Sequence, residues 1–131
     1  SPVAQAVGLT AGIDFILETG FDSITRHETE LTQICLDKLQ SETDVEIYGP
    51  TTMESRAGVV AFNLRGVHPH DVAQVLNESG IAVRAGHHCT QVLHSKLGLQ
   101  ASVRLSVGVY NTEEEILRLV TSLQHVRDLL K

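Results

Sequence analysis

One short segment concentrates the side chains able to do chemistry: Arg84-Ala85-Gly86-His87-His88-Cys89-Thr90. It sets a thiol and two imidazoles in a glycine-containing turn. The thiolate, not the thiol, is the nucleophile. A helix predicted to start at Thr90 would turn its positive end toward Cys89 and favour that form. Arg84, His87 and His88 add to the effect where they are close and protonated. A free cysteine is most often a small buried apolar residue, but a polar turn with two histidines favours the reactive reading. His87, His88 and Cys89 are also zinc-competent. Three consecutive residues do not readily converge on one ion, however, and a tetrahedral site needs a fourth ligand. Cys35 falls on an apolar helical stripe. His68 and His70 flank Pro69 at a predicted helix start, where capping and solvent contact suffice. No metal site is assigned. Arg104 is the other unusual residue, inside the apolar run Val103-Arg104-Leu105-Ser106-Val107. It could point outward to solvent, or face a cleft and hold a carboxylate by a bidentate fork. The residues alone leave both open.

These groups need a scaffold, and 131 residues amount to one domain's worth of chain. A hydrophobic fraction of 42% with 20% charged residues permits an ordinary core. The net charge of −6 argues against non-specific nucleic-acid binding and against an anionic membrane surface. Apolar stretches fall far short of the ~20 residues of a membrane span. Two cysteines make no disulfide framework, so a reducing cytoplasm is the expected setting. The start at Ser1-Pro2, without Met, suggests a piece of a longer chain.

The spacing predicts helices over 3–19 and 23–41, the second capped by Asp22 or Ser23. Ile24, Leu31, Ile34, Cys35 and Leu39 form its apolar stripe. Strands are predicted at 45–48, 58–64, 81–84 and 102–109. A helix opens at Pro69 and runs to about Ser79, with Val72, Val75 and Leu76 on one side. Thr90 caps a short helix to about Leu97. Thr112 and Glu115 form a capping box for the last helix. The expected architecture is α+β, a two-layer sandwich with a small four-stranded, largely antiparallel sheet and helices on one face.

At Arg84-Ala85-Gly86-His87-His88-Cys89 the chain resembles the C-terminal part of a SufS/CsdA-type cysteine desulfurase, in the pyridoxal-phosphate-dependent class V aminotransferase family. Glu46-Ile47-Tyr48-Gly49-Pro50, Gly58–Leu64, Gly80–Arg84 and Arg104-Leu105-Ser106…Tyr110-Asn111-Thr112 fit in the same order, so the resemblance covers essentially the whole chain. The Arg-x-Gly-His-His-Cys motif belongs to this group; the IscS/NifS-type group carries its cysteine in a different, Ser/Gly-rich loop. The resemblance implies the small domain of a fold-type I pyridoxal-phosphate enzyme. Residues 1–20 would connect it to a large domain, and 21–131 would form the small domain.

By the same resemblance, Cys89 takes sulfur from L-cysteine as a persulfide, leaving L-alanine. Arg104 binds the substrate carboxylate, and Arg84, Gly86, His87 and His88 form the loop around the nucleophile. Pyridoxal phosphate would be held by the large domain, because Lys38, Lys96 and Lys131 stand in no cofactor-binding motif; the chain alone would then be inactive. The implied partners are a sulfur acceptor of the SufE/SufU kind, serving iron–sulfur cluster assembly, and a second subunit in a homodimer. Thr90 and Val92 replace the family's usual Ala and Pro, which bears on the loop path and on partner docking. A selenocysteine lyase and a stand-alone sulfur-relay module without cofactor are the alternatives.

Overall fold

The computed structural model describes residues 2–131. Four strands, β1 (Val45–Tyr48), β2 (Val59–Leu64), β3 (Arg84–Gly86) and β4 (Ser102–Ser106), form one antiparallel sheet in the order β1-β2-β4-β3. The helices are α1 (Val3–Thr19), α2 (Phe21–Ser41), α3 (Pro69–Glu78), α4 (Gln91–Lys96) and α5 (Glu113–Leu130). The fold is α+β, as expected.

Alternation along the strands divides the sheet into two faces. Val60, Phe62 and Leu64 on β2 and Val103 and Leu105 on β4 are buried on one face. They pack with Leu31, Cys35, Leu36 and Leu39 of α2, Val72, Val75 and Leu76 of α3, and Ile116, Leu119, Leu123 and Val126 of α5. This is a single core of the kind a two-layer domain requires. The other face carries Tyr48, Ala61, Asn63, Ser102 and Arg104, the alternate positions of the same strands. The apolar periodicity of the sequence thus set which face of the sheet was left for chemistry.

The helix ends follow local chemistry, with departures. Pro69 opens α3, and the backbone N–H of His70 donates to Nδ1 of His68 at 3.3 Å. Glu115 closes the predicted capping box, its carboxylate accepting from the Thr112 N–H at 3.1 Å. The cap expected at Asp22 or Ser23 is not formed; Gly20, at φ 86°, is the N-cap residue and α2 starts at Phe21. A positive φ suits glycine at this junction between α1 and α2.

Two strands also differ from expectation. The third runs over 84–86 instead of 81–84, because only Arg84–Gly86 find partners on β4, at Arg104, Val103 and Ser102. Ile81 and Val83 pack against the core as partly buried side chains outside the ladder. The fourth strand ends at Ser106. Beyond it the Val107 N–H donates to the Gly58 carbonyl at 2.9 Å, and the Gly108 N–H turns to the Asn111 side chain at 2.8 Å.

α1 is unlike the rest. None of its residues is buried, and Val3, Val7, Leu9, Ile13, Phe15, Ile16 and Leu17 are all exposed. It touches the body through α2 and through Phe15, which stacks on Tyr110 with ring centres 5.9 Å apart. Among the described residues no helix is long and apolar enough to cross a membrane.

Candidate functional site

The register brings Tyr48, Ala61, Arg104 and Arg84 into one row across all four strands, through the pairs Tyr48↔Ala61, Ala61↔Arg104 and Arg84↔Arg104. Residues directly opposite in an antiparallel pair share a face. The row therefore sets two arginines at directly opposite positions, a like-charge pairing that is unfavourable unless an anion or solvent intervenes. Arg104 is half-buried and its Nε is out of reach of water with no hydrogen-bond partner.

Arg104 lines a cavity of about 350 Å³ on this face, together with Tyr48, Ala61, His88, Thr90, His94 and Ser102. Leu93, Leu97 and Leu99 supply an apolar wall. Of the two readings of Arg104, the structure takes the one in which it faces a cleft. A second cavity, of about 230 Å³, lies at the other end of β4 beside α5 and contains none of the predicted site residues.

Asn63 fixes the strand that carries Arg104. Its Nδ2 donates to the Ala101 carbonyl at 2.9 Å and to the Tyr48 hydroxyl at 3.2 Å, and its Oδ1 accepts from the Val103 N–H at 3.3 Å. One side chain thereby ties β1, β2 and the start of β4 together. Sequence reasoning passed over Asn63; the signal was a lone amide at an outward position of an otherwise apolar strand.

The cysteine loop leaves β3 at Gly86, whose φ of 130° lies where side-chain-bearing residues are rare. His88 and Cys89 follow at φ 53° and 63°, two consecutive non-glycine residues in the left-handed region. Such conformations cost roughly 1–3 kcal/mol each and persist where surroundings enforce them. Here the Thr90 N–H and hydroxyl both donate to the His87 carbonyl, at 2.8 and 2.7 Å. Thr90 thus stabilises the turn before α4 instead of capping the helix with its side chain, contrary to expectation. α4 is only six residues long, too short for its dipole to carry much of the case for a thiolate.

The loop is anchored from below. His88 Nε2 donates to the Ser102 carbonyl at 3.0 Å and lies 3.1 Å from the Ser102 hydroxyl. His94, on α4 and buried, meets the same hydroxyl at 3.0 Å. Burial holds the His88 imidazole below the usual histidine range, and the charges of Arg104, His94 and Arg84 push the same way, against the Ser102 backbone contact. His88 therefore stays neutral near pH 7. His94 and Ser102 were not singled out from the sequence; neither residue type is unusual alone, and only the fold brings them together.

The predicted residues separate into two groups. Arg104 and His88 line the cavity. Cys89 lies between two cavity-lining residues in the chain, but its own side chain is exposed and is not among the walls. Arg84 and His87 are exposed too, with the His87 ring 5.5 Å from that of His94, edge to face. Cys35 is fully buried, and burial pushes its thiol up to about 12. The two cysteines thus have opposite chemical prospects.

Comparison with known proteins places the chain in a family and a fold. Residues 1–119 match the family model of the class-V aminotransferases. A cysteine desulfurase of Haloferax volcanii is 45% identical over 128 residues, covering 98% of this chain and 30% of the relative. The crystal structure of the cysteine desulfurase CsdA from Escherichia coli superposes with a TM-score of 0.91 at 27% identity, over 100% of this chain and 32% of that one. The apo structure of a cysteine desulfurase from Thermococcus onnurineus gives 0.90 at 40% identity, over 95% and 31%. The chain thus spans about a third or less of the length of the relatives it matches. On its sequence and its fold, the chain belongs to the aminotransferase class-V family.

Proposed function

We propose that this chain is the small domain of a cysteine desulfurase, with Cys89 as sulfur acceptor and Arg104 as the group that holds the substrate carboxylate. The observation that carries this reading is the cavity itself. Arg104 and the two residues flanking Cys89 line one concave space on the open face of the sheet. A small amino acid held there by its carboxylate would have its orientation fixed by the guanidinium fork. Cys89, exposed and mounted on a strained turn, would meet its sulfur from the rim. The exchange balances without an outside reductant: L-cysteine and the Cys89 thiol give L-alanine and a Cys89 persulfide. An exposed position then suits handing that sulfur to an acceptor protein of the SufE/SufU kind for iron–sulfur cluster assembly. The setting would be the cytoplasm, where a free thiol persists.

Pyridoxal phosphate would supply an electron sink for the amino acid. The residues of this chain do not make its site. No lysine lines the cavity; Lys38 lies on α2, Lys96 ends α4, and Lys131 pairs with Asp44. The reading therefore assigns the cofactor to a part of the protein outside this chain. Residues 1–20 would lead to that part, and the exposed apolar surface of α1 fits a helix that is covered there or by a second subunit of a homodimer.

The test uses the protein at the length of its relatives. Cys89→Ser should abolish release of alanine and sulfur from L-cysteine under reducing conditions while leaving cofactor absorbance intact. Arg104→Ala should lower kcat/KM by about 10- to 100-fold, the size of a lost charge-assisted hydrogen bond. Undiminished activity in Cys89→Ser would overturn the reading.

A further inference from the structure

Two histidines and a serine lock together beneath the cysteine loop, and their partners dictate where each proton is. A carbonyl oxygen can only accept. His94 Nδ1 is 3.1 Å from the Thr90 carbonyl and 3.3 Å from its hydroxyl, so Nδ1 carries the hydrogen. In the neutral ring Nε2 is then bare, and it accepts the Ser102 O–H at 3.0 Å. With its hydrogen committed to His94, Ser102 Oγ offers a lone pair to His88 Nε2 at 3.1 Å. The Ser102 carbonyl, 3.0 Å away, also demands a hydrogen on His88 Nε2. Every contact agrees on one direction: His88 donates to Ser102, Ser102 to His94, and His94 to Thr90.

We propose that His94 is a positioning residue which, through the Ser102 hydroxyl, holds His88 as the Nε2–H tautomer and leaves His88 Nδ1 as the proton-accepting nitrogen of the Cys89 loop. An independent observation fits: His88 Nδ1 is buried and has no hydrogen-bond partner, as a bare lone pair kept for a donor would be. Burial also keeps the ring neutral, so its tautomer is a defined state. The relay ties β4, α4 and the loop to one another, which gives the strained φ values of His88 and Cys89 a physical cause. His94 itself reaches neither Cys89 nor any reacting atom by a hydrogen bond among the described residues, so its effect is on arrangement. The functional consequence rests on the sulfur-acceptor reading of Cys89; the tautomer does not.

The decisive measurement is long-range proton–nitrogen NMR on the chain labelled at histidine, well above the ordinary histidine pKa of ~6.5. The expected result is an Nε2–H ring at His88 and an Nδ1–H ring at His94. The opposite tautomer at either ring overturns the proposal. His94→Leu, which cannot accept from Ser102, should shift the His88 tautomer ratio by about five- to tenfold toward Nδ1–H, the weight of one hydrogen bond. His94→Gln, whose Oε1 can accept from Ser102, should restore it. An unchanged ratio in the leucine variant removes His94 from the role. If that variant fails to fold, the wild-type tautomers still decide. In the protein at its relatives' length, His94→Leu should lower kcat with little change in KM, and His94→Gln should recover most of the loss. If Cys89→Ser proves fully active, the desulfurase reading fails while the NMR result stands or falls separately.

Discussion

Asn63→Ala is the substitution that would most directly expose how the sheet supports the site. The amide makes three hydrogen bonds, two of them to backbone groups of the segment 101–103 that leads into Arg104. Alanine keeps the strand and removes all three. Each bond contributes about 0.5–1.5 kcal/mol net, and a buried backbone group left without a partner costs about 1–3 kcal/mol. Ala101 is buried, so its carbonyl would take the larger penalty, whereas the bond to the half-buried Tyr48 hydroxyl can be replaced by water. The sum is about 2–4 kcal/mol. For a domain of this size about 1 kcal/mol moves Tm by roughly 4 °C, so the variant should melt about 8–15 °C lower. Thermal unfolding followed by far-UV circular dichroism reads this directly. Asn63→Asp sharpens the test: it keeps an acceptor for the Val103 N–H but sets a carboxylate oxygen against the Ala101 carbonyl, acceptor facing acceptor, and should melt no higher than alanine. A fall in Tm of under 2 °C for Asn63→Ala would refute the claim that this side chain holds the start of β4.

Other outcomes follow from the same structure. Iodoacetamide should label Cys89 in the native chain and leave Cys35 untouched until denaturant is added, read by mass spectrometry; native labelling of Cys35 would contradict its burial. Gly86→Ala should cost about 1–3 kcal/mol, because a side chain is strained at its φ of 130°, and chemical denaturation would show it. The Arg127 guanidinium, with Lys131 beside it, holds the Asp44 carboxyl far below the usual carboxylate range. A carboxyl depressed on folding stabilises the fold above its unfolded pKa of ~3.9 and loses that contribution as pH falls further. Stability should therefore drop below about pH 4, and Arg127→Ala should flatten that part of the pH profile. His88 has the same sign by a different route. Its ring is held neutral in the fold, so lowering pH through ~6.5 protonates the unfolded chain first and weakens the native state; His88→Gln should remove that component.

Much of the fold was legible because it depends on period alone. The threefold and fourfold spacing of Val72, Val75 and Leu76, and of Ile116, Leu119, Leu123 and Val126, marks helices whose apolar side must meet a sheet. The Thr112–Glu115 box is a local chemical match, complete within four residues. The cysteine turn was equally plain, because a glycine, two histidines and a thiol in sequence need no distant partner to be noticed. What needed distant partners was misjudged. Ile81–Val83 has the composition of a strand, yet pairing fell to Arg84–Gly86, because a ladder exists only where a second strand lies alongside. Thr90 has the side chain of a helix cap, yet its hydroxyl is committed to the His87 carbonyl by a turn that the sequence does not display.

The order of residues by itself determined the class of fold, the face of each helix turned inward and the segment that gathers a thiol and two imidazoles, since these follow from spacing and side-chain type along one chain. Only the tertiary structure decided that Arg104 faces a cleft, that Arg84 stands directly across from it, and that Asn63, His94 and Ser102 hold the arrangement. The reason is physical. A hydrogen bond between residues 38 or 14 positions apart depends on strand register and helix placement. Those are settled by the packing of the whole core, and no single stretch of sequence contains them.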